Sequence, residues 1–168
     1  MIIENSILSD IDFILGLFKQ AIEYQKAKGY NLWIEFDRTL IETKIRENRH
    51  FKIIDNNAIV CIFSVLYTDP VIWGDKDNGD AVYLHRITTN PAYKGKGLIQ
   101  VVKSWAIEYA RQKNKKFLRM DTWGNNETLR NYYINQGFNY IGQQHLIPVE
   151  GVPPHYGGMV LSLFENEV

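Results

Sequence analysis

Apolar residues recur at helical spacing in the first third of the chain, where they predict two helices. The first helix begins at a capping box formed by Ser9 and Asp12 and carries the apolar positions Ile11, Ile14, Leu15, Phe18 and Ile22. A second helix is expected from Asp37, as its N-cap, toward Asn48. Residues 29–36, with the sequence GYNLWIEF, are typical of a loop between the two helices.

Strand patterns dominate the middle of the chain. Residues 51–54 and 58–67 predict two strands joined by a tight hairpin at Asp55–Asn57, because asparagine tolerates the positive φ of such turns. Residues 68–80 are rich in Asp, Gly and Pro and predict a long loop. A further strand, AVYLHRITT, is expected over residues 81–89.

The last third returns to helical spacing and then ends in strands. One face of a long amphipathic helix is marked by Leu98, Val101, Val102, Trp105, Ala106 and Tyr109. A short strand KFLRMDT, a helix after Asn125 that stops at Gly137, and two strands, FNYIGQ and MVLSLF, follow. With one strand at the start, this order predicts one α/β (α+β) domain over residues 1–168, with a mixed sheet flanked by helices.

Composition excludes several classes of protein. Nineteen basic and nineteen acidic side chains give a net charge of zero, so the basic surface that nucleic-acid binding requires is not expected. No window approaches the about 18 consecutive apolar residues of a membrane span, and the expected location is the cytoplasm. Cys61 lies in an apolar run and is expected to be a buried, inert thiol. His145 and His155 lack partners at metal-ligand spacing, so no metal is expected.

The segment ITTNPAYKGKGLIQVV, residues 87–102, carries the clearest chemical signal. Here a strand passes through a loop with Gly95 and Gly97 directly into a strong helix. The first N–H groups of a helix lack intrahelical acceptors and its dipole favours anions, so this arrangement is suited to bind phosphate. Lys94 and Lys96 add positive charge, although a tight structural turn explains the glycines equally well.

The spacing distinguishes between classes of phosphate site. A P-loop requires G-x-x-x-x-G-K-[ST], and a dinucleotide fingerprint requires a third glycine where this chain has Gln100. The segment instead resembles motif A of the GNAT N-acetyltransferase superfamily, Q/R-x-x-G-x-G/A, with Lys94, Gly97 and Ile99 at the marked positions. Lys94 stands where Arg or Gln is usual, and Ile99 where Gly or Ala is usual.

A second stretch, NNETLRNYYINQGF, carries the same resemblance. It is similar to the family's N-x6-Y-x3-G-F pattern, with Asn126, Tyr133, Gly137 and Phe138 in register. The two motifs have the family's order and separation. The resemblance therefore implies a GNAT-like, mostly antiparallel central sheet and acetyl-CoA as the acetyl donor.

The resemblance also implies roles for particular residues. The backbone of Ile87, Thr88 and Thr89 would pair with the pantetheine arm and orient the acetyl carbonyl. The pyrophosphate would be held at the motif residues Lys94, Gly95, Lys96, Gly97, Leu98, Ile99 and Gln100. Asn126 would hydrogen-bond the cofactor, and Tyr133 would act as general acid at the thioester sulfur. In purely structural terms, Asn126 is equally well a helix N-cap and Tyr133 a core aromatic residue.

Two residues are candidates for the general base. Asp121 lies where some members of the family place a proton-accepting acid, but an aspartate here also suits a cap for the turn over residues 122–124. His85 is the rival, because histidine changes charge near neutral pH, but it also suits a hydrogen-bonded strand position. A water chain that relays the proton to solvent is a third solution.

The acceptor is less clearly encoded. Four aromatic residues near acidic ones would suit a pocket for a small cationic amine, and ordinary packing with solvated acids accounts for them equally well: Tyr30, Trp33, Tyr67 and Trp73, with Glu35, Asp69, Asp75 and Asp77. The basic run Lys113, Lys115 and Lys116 suits a solvated turn or attraction of the cofactor's ribose phosphate.

The motifs together predict an acetyl-CoA-dependent N-acetyltransferase that acts on a primary amine of a small molecule by direct attack on the thioester. The alternatives are a protein or peptide N-acetyltransferase and a noncatalytic CoA-binding regulatory module. A monomer or a homodimer is expected.

Overall fold

The described residues of this computed structural model are 1–30, 33, 37–146 and 158–168, and they follow the predicted order of elements closely. Their helices are α1 (Ile11–Ala27), α2 (Arg38–Arg46), α3 (Pro70–Trp73), α4 (Leu98–Gln112) and α5 (Glu127–Asn135). Their strands are β1 (Ile2–Asn5), β2 (His50–Asp55), β3 (Ala58–Leu66), β4 (Ala81–Thr89), β5 (Phe117–Trp123), β6 (Tyr140–His145) and β7 (Val160–Glu167).

The start of α1 differs from the prediction, whereas the start of α2 agrees with it. The prediction of a capping box formed by Ser9 and Asp12 is wrong, because Ser9 lies in a 3₁₀ turn over Leu8–Asp10 that precedes α1. At the start of α2, the Asp37 carboxylate accepts a hydrogen bond from the Thr39 N–H at 2.8 Å, which confirms the N-cap. The helix ends at Arg46, shortly before Asn48, whose φ of +55° is left-handed.

The hairpin between β2 and β3 is confirmed. Asn56 and Asn57 have φ of +48° and +63°, the left-handed pair that a two-residue turn between antiparallel strands requires. The predicted loop over residues 68–80 is partly wrong, since it contains α3 and a 3₁₀ turn at Gly74–Lys76. Pro70 suits the first position of α3, because that position needs no N–H donor.

In the described part of the chain, seven strands form one sheet in the order β1-β2-β3-β4-β5-β7-β6. The pairs β1–β2, β2–β3, β5–β7 and β6–β7 are antiparallel, and β4 runs parallel to β5. The parallel register joins Ala81–Leu84 to Phe117–Met120. The predicted mixed, mostly antiparallel sheet flanked by helices is therefore confirmed.

The chain divides into two compact units. The first comprises residues 1–65 and 85–101, and α1 and α2 bury their apolar faces in its core, which includes Ile11, Ile14, Leu17, Phe18, Ile41, Ile45 and Ile62. Buried polar groups also occur there. The His50 Nδ1 and Ser6 Oγ atoms lie 2.8 Å apart, and burial, with the nearby charge of Lys44, lowers the pKa of His50 to about 4.

The second unit comprises residues 66–84 and 102–168. Its core cluster contains Ile72, Trp73, Ala81, Tyr83, Leu146, Leu161 and Leu163. Arg119 on β5 is only 4% exposed and donates from Nε to Glu165 at 2.7 Å and from a terminal nitrogen to the Lys76 carbonyl at 2.7 Å. These bonds attach the segment around Lys76 to β5 and β7. None of the described helices has the length and apolar character needed to cross a bilayer.

The expectation of a single domain stays a prediction. Two elements contribute residues to both units: β4 changes unit after Leu84, and α4 changes unit after Val101.

Candidate active site

The end of β4 carries the residues that were expected to face the pantetheine arm. Thr88 is buried, whereas Ile87 and Thr89 are half-buried. Arg86, directly before them, has φ of +55°, a left-handed conformation that is uncommon for a non-glycine residue within a strand. The Thr88 hydroxyl donates to the Arg86 carbonyl at 3.1 Å. Strained backbone of this kind is often found at functional sites, and sequence patterns do not reveal it.

Asn90 anchors the loop that follows β4. Its N–H donates to the Val60 carbonyl at 2.9 Å and its side-chain amide donates to the Ile59 carbonyl at 3.0 Å, so both bonds fix the loop to β3. Its side-chain oxygen accepts from the Ala92 N–H at 3.1 Å and starts a 3₁₀ turn over Pro91–Tyr93. The glycine loop therefore leaves the sheet from a fixed point.

Gly95 and Gly97 have φ of +82° and +66°, which explains why both positions are glycine. A Cβ atom added at either residue would meet no heavy atom of the described residues within 4 Å, so close packing in that part of the chain does not require either glycine. The helix α4 begins one residue after Gly97, and the Gln100 N–H donates to the Gly97 carbonyl at 3.0 Å. The space beside this loop is thus open toward the start of a helix.

Leu98 and Ile99 form the first turn of α4 and are both buried. Ile99 occupies the motif position where the superfamily usually has Gly or Ala, and it is only 5% exposed. Its side chain therefore lies in the protein interior rather than over the loop. Backbone N–H donors at the start of a helix do not depend on the side chain, so Ile99 is compatible with phosphate binding.

The two lysines of the loop contact aromatic and acidic side chains of the same unit. The Lys94 ammonium lies 4.1 Å from the centroid of the Tyr24 ring. The Lys96 ammonium lies 3.5 Å from the Asp55 carboxylate and 4.9 Å from the centroid of the Tyr93 ring. Open glycine backbone, a helix N-terminus and two cations fit the diphosphate of a CoA molecule.

Asp121 and Asn126 belong to the second unit. Asp121 is half-buried within β5, opposite Leu163 of β7. The Asn126 side chain accepts from the Leu129 N–H at 2.9 Å and caps α5. This bond occupies the amide oxygen, and the NH₂ group of Asn126 is the part that suits a ligand acceptor.

Tyr133 on α5 is half-buried and packs among aromatic side chains. Its ring lies edge-on to Phe138, with centroids 5.7 Å apart, and is tilted against Phe164 at 5.8 Å. These contacts restrict the orientation of the ring. Tyr132, its neighbour on the helix, is exposed.

The aromatic residues considered for the acceptor site are largely packing residues. In the first unit, Trp33 packs against the core cluster and lies edge-on to Phe18, with centroids 6.3 Å apart. In the second unit, Trp73 is 4% exposed and its ring centroid lies 5.7 Å from that of Tyr83. The Tyr67 hydroxyl lies 2.6 Å from the Tyr109 hydroxyl.

The acidic residues near them differ in their roles. Asp77 accepts hydrogen bonds from the Thr68 hydroxyl, the Tyr83 hydroxyl and the Asp69 N–H. Burial would raise the pKa of Asp77, but these hydrogen bonds outweigh it and lower that pKa below its usual value. Asp77 is therefore a structural acceptor. Glu35 lies outside the described residues, as does His155.

Asp69 and Asp121, both of the second unit, form a pair that sequence spacing did not indicate. Asp69 is buried, and one carboxylate oxygen of each residue lies within 4.8 Å of the other. Two carboxylates at this separation favour a positive charge beside them. Their closeness results from folding, because Asp69 precedes α3 and Asp121 lies on β5.

The remaining candidates are now located. His85 is half-buried on β4, in the first unit, and Ser64 donates to its backbone carbonyl at 3.4 Å. Cys61 is buried on β3 as expected, and burial raises the pKa of its thiol to about 12. His145 is exposed at the end of β6. The Lys115 ammonium donates to the Gly79 carbonyl at 2.6 Å.

Comparison with known proteins agrees with this geometry. Residues 18–138, more than half of the chain, match the model of the acetyltransferase (GNAT) family. An uncharacterised N-acetyltransferase of Bacillus subtilis (strain 168), YesJ, is 23% identical over 145 residues, which cover 82% of this chain and 81% of YesJ.

Two solved structures show the same fold. An acetyltransferase of the GNAT family from Listeria monocytogenes 4b F2365 superposes with a TM-score of 0.78 at 23% identity, covering 99% of this chain and 94% of that one. A putative acetyltransferase from Salmonella typhimurium, solved with its cofactor acetyl-CoA, gives a TM-score of 0.70 at 16% identity, covering 99% and 93%. The family match, the fold and the two motifs agree: this chain belongs to the GNAT family of acetyltransferases.

Proposed function

We propose that the protein transfers the acetyl group of acetyl-CoA to a primary amine of a small molecule, by direct attack of the amine on the thioester. Membership of the family makes the chain an acetyltransferase, and acetyl-CoA is its cosubstrate. The observation that carries the proposal is the open loop at Gly95 and Gly97, which leads from β4 directly into the N-terminus of α4.

Acetyl-CoA supplies an acetyl group activated as a thioester. The residues proposed to hold it are Ile87, Thr88, Thr89, Lys94, Gly95, Lys96, Gly97, Leu98, Ile99, Gln100 and Asn126. Backbone N–H groups of the loop and of the first turn of α4 would bind the diphosphate, with the helix dipole and two lysines favouring negative charge. Asn126 would donate from its NH₂ group, because its oxygen caps α5.

Backbone N–H groups of Ile87–Thr89 are proposed to orient and polarise the acetyl carbonyl. A donor aimed at an oxygen that gains negative charge during the reaction stabilises the transition state more than the ground state. Asn90 fixes the end of this segment to β3 through two hydrogen bonds, so its backbone is held before the substrate arrives. Fixed donors of this kind need little reorganisation during the reaction.

Two side chains are proposed to move protons. Tyr133 would give the proton of its Oη to the departing sulfur, since the rings of Phe138 and Phe164 hold its own ring in one orientation. Asp121 would take a proton from the attacking amine, which must be neutral to act as a nucleophile. His85 is the alternative acceptor for this proton.

The neighbouring carboxylates of Asp69 and Asp121 favour an acceptor amine that is positively charged in solution. A protonated amine is attracted to two neighbouring carboxylates, and it becomes a nucleophile when one of them accepts its proton. The pair of carboxylates therefore favours a cationic amine as the acceptor.

The test is release of the CoA thiol from acetyl-CoA across a panel of small diamines, amino sugars, amino acids and peptides with free N-termini. We expect turnover with at least one small cationic amine and much less with peptides. Turnover with peptides alone would contradict the proposed acceptor. Tight CoA binding without thiol release for any acceptor would contradict enzymatic transfer and indicate a CoA-binding module.

A further inference from the structure

Lys94 contacts an aromatic ring from a distant part of the chain. Its ammonium lies 4.1 Å from the centroid of the Tyr24 ring, near the end of α1, and Lys94 itself directly precedes Gly95 of the phosphate loop. Both side chains are on the surface, and Tyr24 is 47% exposed. The distance is well within the about 6 Å over which an ammonium group is attracted to an aromatic face.

This contact compensates for the flexibility of lysine. Lys94 stands at the motif position where Arg or Gln is usual. An arginine presents a planar, preorganised set of donors, whereas a lysine carries a point charge on a flexible four-carbon stem that loses rotamer freedom when it binds. An aromatic face confines the ammonium while leaving N–H donors free to point elsewhere.

We propose that Tyr24 is a positioning residue for the cofactor site: its ring holds the Lys94 ammonium beside the glycine loop, ready to pair with a phosphate group of CoA. The inference rests on the proposed function, because Lys94 has this task only if the loop binds CoA. Tyr24 belongs to neither of the two sequence motifs. It lies on α1, and folding brings its ring next to Lys94 of the loop.

A cation–π contact at an exposed site corresponds to an about two- to fivefold effect on affinity. We therefore expect Tyr24→Leu to weaken CoA binding to the free protein by about two- to fivefold, measured by titration calorimetry. Tyr24→Phe keeps the aromatic face and should bind CoA like the wild type. Phe13→Leu is the matched control, since Phe13 is also on α1 and is 43% exposed, and it should leave CoA affinity unchanged.

A double-mutant cycle assigns the effect to Lys94. Lys94→Ala removes the ammonium and should itself weaken CoA binding, and Tyr24→Leu should add nothing in that background. The Lys28 ammonium lies 6.0 Å from the centroid of the same Tyr24 ring. Any effect of Tyr24→Leu that acts through Lys28 would appear both with and without Lys94, so the cycle separates it from the effect that acts through Lys94. In the free protein, the ε-methylene protons of Lys94 should show an upfield ring-current shift in NMR spectra that Tyr24→Phe keeps and Tyr24→Leu abolishes.

The outcomes separate this inference from the function on which it rests. If Lys94→Ala weakens CoA binding while Tyr24→Leu leaves it unchanged or tightens it, Tyr24 has no positioning role and the cofactor site stands. The same conclusion follows if the ring-current shift is missing in the wild type. If the wild-type protein does not bind CoA, the proposed function fails, and the role of Tyr24 fails with it.

Discussion

Replacement of Gly97 by alanine should affect two quantities to different degrees. One is the stability of the fold, because Gly97 has a left-handed backbone conformation, and the other is the affinity for CoA, because the loop is proposed to contact phosphate. Gly97 has φ of +66°, and a Cβ atom there would meet no heavy atom within 4 Å in the part of the chain that the structure describes. Gly97→Ala therefore creates no clash in the free protein. Its cost is the left-handed conformation, about 1–2 kcal/mol for an L-residue. For a chain of this size, the melting temperature should fall by about 2–8 °C.

The effect on the cofactor should be larger than the effect on stability. The added methyl group would occupy open space beside the N–H groups that open α4, where a phosphate must come close. Loss of one hydrogen bond to a charged group costs about 1.5–3 kcal/mol, so the dissociation constant for CoA should rise by about 10- to 150-fold.

Gly79→Ala is the matched control. Gly79 has φ of +83° and equally open surroundings, so alanine is strained there to a similar degree. Its melting temperature should fall similarly, while its CoA affinity should stay within about twofold of the wild type. Calorimetric titration and thermal unfolding of both variants provide the comparison. Similar dissociation constants for Gly97→Ala and Gly79→Ala would refute the assigned phosphate site.

Three further changes test other parts of the structure. Asn126→Asp keeps an acceptor for the Leu129 N–H and should preserve the melting temperature, but it should weaken CoA binding by about tenfold or more in titrations; Asn126→Ala should instead lose about 1 kcal/mol of stability. Tyr133→Phe keeps the ring and should lower kcat by about 100-fold with little change in CoA affinity, while the exposed neighbour Tyr132→Phe should retain kcat. A kcat near the wild-type value would return Tyr133 to a packing role. Folding lowers the pKa of His50 to about 4, so the unfolded chain binds a proton at a higher pH than the folded chain does. The free energy of unfolding should therefore fall by up to about 3 kcal/mol as the pH drops from about 6.5 to 4. Denaturant unfolding of His50→Gln should show a flatter pH dependence over this range, and an identical one would contradict the shift.

Local patterns predicted most of the secondary structure because the relevant physics is local. The paired asparagines Asn56 and Asn57 adopt the left-handed conformations of a tight hairpin, and Asp37 caps its own helix. The start of α1 was mispredicted because Asp10 bonds back to the Ile7 N–H at 2.9 Å and so forms a 3₁₀ turn before the helix. Ser9 and Asp10 are adjacent residues that both suit the start of a helix, and only folding selects between them.

Some features of the candidate site could be predicted from local sequence, and others depend on tertiary contacts. The glycine loop and Asn126 were predictable, because each belongs to a continuous motif whose backbone geometry follows from its own residues. The contact of Tyr24 with Lys94 and the closeness of Asp69 to Asp121 were not, since each joins residues far apart in sequence. The left-handed Arg86 was also hidden, because no side-chain pattern marks a strained residue within a strand.

The rate at which the single cysteine of the chain is alkylated can report local unfolding of the strand that carries it. Cys61 is buried on β3, and a thiol with a raised pKa is protonated and inert toward alkylating reagents at neutral pH. Its labelling rate therefore measures how often β3 becomes exposed, without any engineered probe. A bound ligand that stabilises the folded state should slow this labelling in proportion to its occupancy. The same burial keeps the protein's own thiol silent when a colour reagent counts the CoA set free during turnover.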